Sequence, residues 1–279
     1  MANHRNRRLA DLPRGAESPL SFAVNQRDQD TLSMVKDAIK HNQTMLAYQP
    51  IMIANAQNSV AFYEGLIRVP DATGRVIPAK DFMPIVEDNE LGRQIDASAL
   101  RMGLRALQAN SGLRLSINMS ARSIGYKPWL QILRQFLKRD PTLGERLILE
   151  ITESSAMLVP ELVVNFMDEL QPSGVCFAMD QFGAGYTAIR YFKEFFFDIL
   201  KIDGQFVTDI AQNPDNRAII GALISIAHHF DMLTVAERVE TEEDANCLSE
   251  MGVDCLQGYY FSAPTVHPEW LRQARSHTG

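Results

Sequence analysis

From Asp30 onward the chain alternates short runs of apolar and β-branched residues with longer stretches whose apolar positions recur every three or four residues. The short runs lie at 45–53, 60–67, 113–117, 147–151, 175–179, 199–202, 233–236 and 253–256, and they read as strands. Between most of them, 80–110, 129–139, 160–171, 216–230 and 242–251 carry helical spacing. Asp215-Asn216 and Thr241 read as helix N-caps, and Pro160 suits a first helical turn. Only the 54–59 connection, with Asn55 and Asn58, is too short for a crossover helix, so the first two strands are expected to form an antiparallel hairpin. Eight strands with mostly helical crossovers predict an α/β fold, a modified (β/α)8 barrel with its first strand antiparallel. An open doubly wound sheet is the alternative that alternation alone leaves standing.

Residues 1–30 are polar, carry Arg5, Arg7, Arg8 and Arg14, and are interrupted by Pro13, Gly15 and Pro19. They are expected to be a flexible N-terminal arm ahead of a barrel domain spanning 31–279. No apolar run follows the arginines as a signal peptide requires, and none approaches the ~20 residues that cross a bilayer. A cytoplasmic protein without membrane insertion is expected. The net charge of −7 argues against binding long nucleic acid, whose affinity rests on lysine and arginine at phosphates. Cys176, Cys247 and Cys255 lack C-x-x-C spacing and read as buried reduced thiols.

Polar residues recur where the apolar runs end: Glu64, Asn118, Glu150 with Glu153, Asp180, Lys201, Glu237 and Gln257. In a barrel these positions converge on the mouth at the C-terminal ends of the strands, where active sites are built. So many carboxylates in one mouth repel one another unless cations compensate. Glu, Asn and Asp are the hard oxygen ligands that Mg²⁺, Mn²⁺ or Ca²⁺ prefer, while His228 and His229 read as mid-helix residues outside the set. Phosphoryl chemistry with metal-activated water is the reaction class this composition favours.

The ordered segments Tyr63-Glu64-Gly65-Leu66-Ile67-Arg68, Ile117-Asn118-Met119-Ser120, Glu150-Ile151-Thr152-Glu153, Asp180-Gln181-Phe182-Gly183-Ala184-Gly185-Tyr186, Leu200-Lys201-Ile202-Asp203, Ala236-Glu237-Arg238-Val239-Glu240 and Gln257-Gly258-Tyr259-Tyr260-Phe261 resemble the signature of EAL-domain cyclic di-GMP phosphodiesterases. The resemblance implies a barrel that binds cyclic di-GMP and hydrolyses one phosphodiester to linear pGpG with two Mg²⁺ or Mn²⁺ ions, Ca²⁺ being inhibitory. It implies that Glu64, Asn118, Glu150 and Asp180 hold one metal, and that Asp180, Gln181 and Glu237 hold the second. Lys201 would then orient the attacking water, Glu153 would anchor the loop after Asp180, and Glu240 and Gln257 would support the metals and their water. Gln49, Leu66, Arg68 and Gln257 would meet the ligand, with Arg68 at phosphate.

Four positions depart from the pattern that the resemblance implies: Gly65 for alanine, Gln181 for the second aspartate, Ala184 for threonine and Arg238 for glycine. Gln181 weighs most. A unit charge at ~4 Å in an effective dielectric of ~20 is worth about 4 kcal/mol, so its loss is expected to weaken the second ion. Arg238 can pair with Glu237 or Glu240, or reach a ligand phosphate. A phosphodiesterase of reduced activity and a cyclic di-GMP receptor both follow from these residues, and a protein-interaction module is the third reading. Phe195-Phe196-Phe197 reads as core, with an exposed dimerisation patch as the alternative. Regulation is expected from a homodimer or a separate partner, unless the chain is an excised fragment.

Overall fold

In the computed structural model, which describes residues 19–183 and 193–271, eight strands close into a barrel. They are β1 (Met45–Ile53), β2 (Ala56–Pro70), β4 (Leu115–Asn118), β5 (Leu147–Thr152), β6 (Cys176–Phe182), β7 (Ile199–Ile202), β8 (Leu233–Ala236) and β9 (Cys255–Leu256). The order β1-β9-β8-β7-β6-β5-β4-β2 returns to β1 through the β1–β2 pairing, so the sheet is closed and the open alternative falls. β1 is antiparallel to both its neighbours, and every other adjacent pair in the ring is parallel. A short strand, β3 (Val76–Pro78), adds to the edge of β2 outside the ring.

Helices α3 (Glu90–Ala109), α4 (Lys127–Arg139), α6 (Pro160–Leu170), α8 (Pro214–His229) and α9 (Glu242–Glu250) make the main crossovers. Shorter helices are α2 (Met83–Val86), α5 (Glu153–Leu158) and α7 (Gly204–Val207). The stretch expected as one helix over 80–110 breaks because Asn89 is extended and accepts from the Leu91 N–H, a cap that starts α3 afresh. Thr241 caps α9 as expected, whereas α8 is capped by Asn213 rather than Asp215-Asn216 because Pro214 takes the first turn. That places His228 and His229 in the last turn of α8, not mid-helix.

Helix α1 (Pro19–Lys40) occupies residues 19–30 of the segment expected as an arm. Leu32, Val35 and Ile39 repeat at helical spacing and pack with Ala38 on the main core, which gives α1 an apolar stripe to bury. Residues 1–18 lie outside the described residues. Cys255 is buried, but Cys176 and Cys247 are only half-buried, short of the full burial expected; all three are free thiols. Phe195 and Phe197 are buried, while Phe196 is 51% exposed. Among the described residues no helix is long and apolar enough to cross a membrane.

Side-chain alternation along the strands positions the site. Ile51, Phe62, Ile148, Ala178, Ile199, Val235 and Cys255 form one buried apolar cluster drawn from seven strands, a layer across the barrel interior. Two residues further toward the mouth, the same face of each strand carries Gln49, Glu64, Glu150, Asp180, Lys201, Glu237 and Gln257. On β1 the step runs backward along the chain, from Ile51 to Gln49, because that strand is antiparallel. The polar layer is therefore the apolar layer shifted by one pleat.

Candidate active site

Lys201 is the centre of this layer. Its Nζ lies 2.9 Å from Glu150 Oε2, 2.9 Å from Glu237 Oε1, 3.1 Å from Glu64 Oε2 and 3.5 Å from Asp180 Oδ1, and the side chain is excluded from solvent. Asn118, level with Glu150 in the β4–β5 register, donates from Nδ2 to Glu64 Oε1 at 2.7 Å. Gln257 Nε2 donates to Glu64 Oε2 at 2.7 Å and to Gln49 Oε1 at 3.1 Å, and Gln49 Nε2 donates to Ser262 O. Eight of the residues singled out in the sequence thus meet in one connected network.

Four carboxylates share one ammonium, and the proton affinities of Lys201, Glu64, Glu150 and Glu237 reflect it. Burial opposes charge on Lys201, yet Asp180, Glu150, Glu237 and Glu64 hold it well above the usual lysine range. Burial also works to raise Glu64, but Lys201, Gln257 and Asn118 outweigh it and hold that carboxyl below its ordinary value. Glu150 is pushed well above the carboxylate range by burial and by Glu64 and Asp180, against the pull of Lys201. Burial likewise drives Glu237 up to about 8, opposed by Lys201 and reinforced by Asp180 and Glu64. The layer holds more acid than its own lysine neutralises.

That surplus is the test of whether cations fit. Among the described residues no three Asp, Glu, His or Cys side chains converge as a ligand shell by themselves; the acids close on Lys201 instead. The donor chemistry nevertheless suits a hard divalent ion, being all oxygen. Glu150 Oε1 and Asp180 Oδ1 are buried without any hydrogen-bond partner, Asp180 having only its longer ion pair to Lys201. Unpartnered buried carboxylate oxygens are costly unless a cation or proton meets them.

Above the layer opens a cleft of about 750 Å³, lined by Gln49, Glu64, Leu66, Asn118, Asp180, Gln181, Glu237, Arg238, Glu240, Gln257 and Tyr259 among others. Gln181 lies between the β6–β7 pairings of Met179 with Leu200 and Phe182 with Ile202, in a register irregularity, with φ +54° and an exposed side chain. Glu153 stands outside the cleft. It is buried at the start of α5, and its Oε2 accepts the Gly183 N–H at 3.0 Å, a tether on the loop that leaves Asp180. Asp203 caps α7, accepting from the Gln205 N–H.

Arg68 shares the face of β2 with Glu64 and Leu66 but is not a cleft-lining residue, and its Nη1 donates to Ile67 O at 2.9 Å. Ala184, Gly185 and Tyr186 lie outside the described residues. Sequence reasoning missed Asp96, a cleft residue on α3 whose buried Oδ2 accepts from the Ser120 N–H and Ser123 Oγ and so fixes the turn after Asn118. The signal was a carboxylate between Ile95 and Ala97 on the buried face of an amphipathic helix.

A family model described as the EAL domain matches residues 32–264. The chain is 29% identical over 250 residues to the bifunctional diguanylate cyclase/cyclic di-GMP phosphodiesterase MucR of Pseudomonas aeruginosa, covering 87% of this chain and 36% of that protein. It is 30% identical over 243 residues to the cyclic di-GMP phosphodiesterase PdeB of Shewanella oneidensis, covering 86% and 28%. The chain spans about a third of the length of such curated relatives. Among solved structures, the MucR phosphodiesterase of P. aeruginosa in complex with c-di-GMP gives a TM-score of 0.73 at 28% identity, covering 84% of this chain and 97% of that one. An EAL domain protein from Listeria monocytogenes gives 0.75 at 28%, covering 88% and 98%. With the barrel, its polar layer and a family match over most of its length, this chain belongs to the EAL domain family.

Proposed function

We propose that the protein is a cyclic di-GMP phosphodiesterase that opens the ring to linear pGpG, with turnover reduced by Gln181. The observation that carries this reading is the convergence of Glu64, Glu150, Asp180 and Glu237 on Lys201 at the barrel mouth. Glu64, Asn118, Glu150 and Asp180 would hold one Mg²⁺ or Mn²⁺, and Asp180, Gln181 and Glu237 a second. Bound there, the ions would supply Lewis-acid activation of water and neutralise charge on the phosphodiester, and Ca²⁺ would inhibit.

The protein's own groups do the rest. Lys201 presents an ammonium to the attacking water and keeps the acids from repelling one another. Glu153 fixes the loop beyond Asp180 through Gly183, while Gln257 and Gln49 set the orientation of Glu64. Gln49, Leu66 and Gln257 meet the nucleotide, Arg68 turns to a phosphate, and Glu240 supports Glu237. The water oxygen gives up one proton and bonds to phosphorus, one bridging P–O bond breaks, and the departing ribose oxygen takes up a proton, so that the elements of one water are added in all. The same proposal places the protein in the cytoplasm, with a homodimer or a separate partner as its regulator.

Gln181 favours a second reading, a receptor that holds cyclic di-GMP without efficient cleavage. The two are separated by incubating purified protein with cyclic di-GMP and Mg²⁺ or Mn²⁺, following pGpG by chromatography and binding by calorimetry in Ca²⁺. Product formation supports the enzyme, tight binding with no product over hours supports the receptor, and no binding sinks both.

A further inference from the structure

Arg238 follows Glu237 directly off β8 and holds φ +56°, a left-handed conformation that suits glycine and strains a residue with a Cβ. Its aliphatic stem lies across Gly204, where α7 begins. A methyl group on Gly204 would come within 2.3 Å of Arg238 Cδ, 2.5 Å of Cγ and 2.7 Å of Cβ. The bare backbone at 204 is thus what makes room for the arginine, and it sets the direction of the stem.

The side chain is exposed and lines the cleft beside Glu237, Glu240, Gln257 and Tyr259. It makes no ion pair or hydrogen bond with any described residue, because the neighbouring Glu237 carboxylate turns inward to Lys201 at 2.9 Å. An ordinary solvated arginine needs neither a strained backbone nor a glycine shelf. A guanidinium held in this way at the lip of a cleft presents planar paired donors that match a phosphate. Against an aspartate at 181 and a glycine at 238, the rim is also more positive, by one charge from each of Gln181 and Arg238. That shift favours an anionic ligand and disfavours a second divalent ion.

We infer that Arg238 is a substrate-phosphate contact that takes over part of the charge compensation lost with Gln181; the inference rests on the cyclic di-GMP reading above. Binding of cyclic di-GMP to the whole chain, with EDTA and separately with Ca²⁺, tests it. The unaltered protein binds in both conditions, and Arg238→Ala and Arg238→Gly each weaken binding in EDTA by about tenfold or more, the scale of a charge-assisted hydrogen bond. Their loss in Ca²⁺ is smaller. Arg238→Lys falls between, since an ammonium cannot replace the paired donors. Arg238→Gly also relieves the backbone, so its unfolding midpoint rises while its affinity falls, opposite movements that a structural role would not produce. Affinity in EDTA within twofold for both truncations would overturn the inference and leave the cyclic di-GMP reading intact. So would an unaltered protein that binds only with Ca²⁺, whereas one that binds in neither condition sinks both.

Discussion

Lys201 Nζ lies 2.9 Å from Glu150 Oε2, and both side chains are sealed from solvent beneath the cleft. Removing one member of a buried charge set leaves the others uncompensated, typically at ~3–5 kcal/mol. Lys201→Met should therefore lower stability by roughly that amount in EDTA, as measured by urea unfolding. Addition of Mn²⁺ should restore more stability to the variant than to the parent, because a bound cation replaces the missing ammonium. Equal Mn²⁺ effects on the two proteins would show that the cation does not take the place of the missing ammonium. Turnover should be lost in the variant whatever its stability.

Gln181 occupies a left-handed position, φ +54°, where aspartate and asparagine are more often found than glutamine. Gln181→Asp should hence cost no stability while restoring a charge beside Asp180. We expect turnover to rise and the Mn²⁺ concentration for half-maximal pGpG formation to fall by about tenfold, equivalent to ~1.4 kcal/mol. This is well inside the ~4 kcal/mol available from a full unit charge at short range. An unchanged metal dependence would place the limit elsewhere in the cleft.

Most of the ring and its polar layer was legible because β5 and β7 are short, apolar and each followed by a segment that begins with an acid, Glu153 and Asp203. A two-residue step from Ile148 to Glu150, or from Ile199 to Lys201, is visible in sequence as an apolar residue and a charge on one strand face. What was not legible depended on contacts between distant segments. The α1 stripe of Leu32, Val35 and Ile39 gains meaning only against the core it covers, and the polar composition around it reads as an arm. Arg238 and Gly204 are unremarkable separately, and only their packing shows that the one needs the other. The inward turn of Glu237, which leaves Arg238 without a partner among the described residues, is likewise set by Lys201 on another strand.

Asp96 supplies a pH signature away from the carboxylate cluster. Burial drives its carboxyl up to about 6, partly offset by the hydrogen bonds from Ser123 and Ser120 and reinforced by Glu87. In the unfolded chain an aspartate titrates near 3.9, so between about pH 4 and pH 6 the folded protein binds more protons than the unfolded one. Stability from this group is fully present below pH 4 and is lost as pH rises through about 6, some ~3 kcal/mol in all at ~1.4 kcal/mol per pH unit. Asp96→Asn keeps one acceptor oxygen and cannot titrate. The difference in unfolding free energy between variant and parent should therefore change by about that amount from pH 4 to pH 7 and then stay level. A constant difference across that range would contradict the assignment.

Glu153 and Gly183 link the start of α5 to the loop beyond Asp180 through one hydrogen bond of 3.0 Å. Gly183 holds φ +90°, and a Cβ there would sit 2.7 Å from Phe206 Cε2, so neither the backbone nor the space admits a side chain easily. Glu153→Ala leaves the Gly183 N–H without its acceptor, which costs ~1–3 kcal/mol where water cannot enter. Glu153→Gln retains a carbonyl oxygen for that N–H and loses only the charge. If the tether acts by holding Asp180 and Gln181 in place, Glu153→Ala should reduce pGpG formation by tenfold or more at saturating cyclic di-GMP, and Glu153→Gln should stay within about threefold, since most of a neutral hydrogen bond survives. Equal losses for the two variants would mean that the charge of Glu153, rather than its hold on Gly183, is what the site uses.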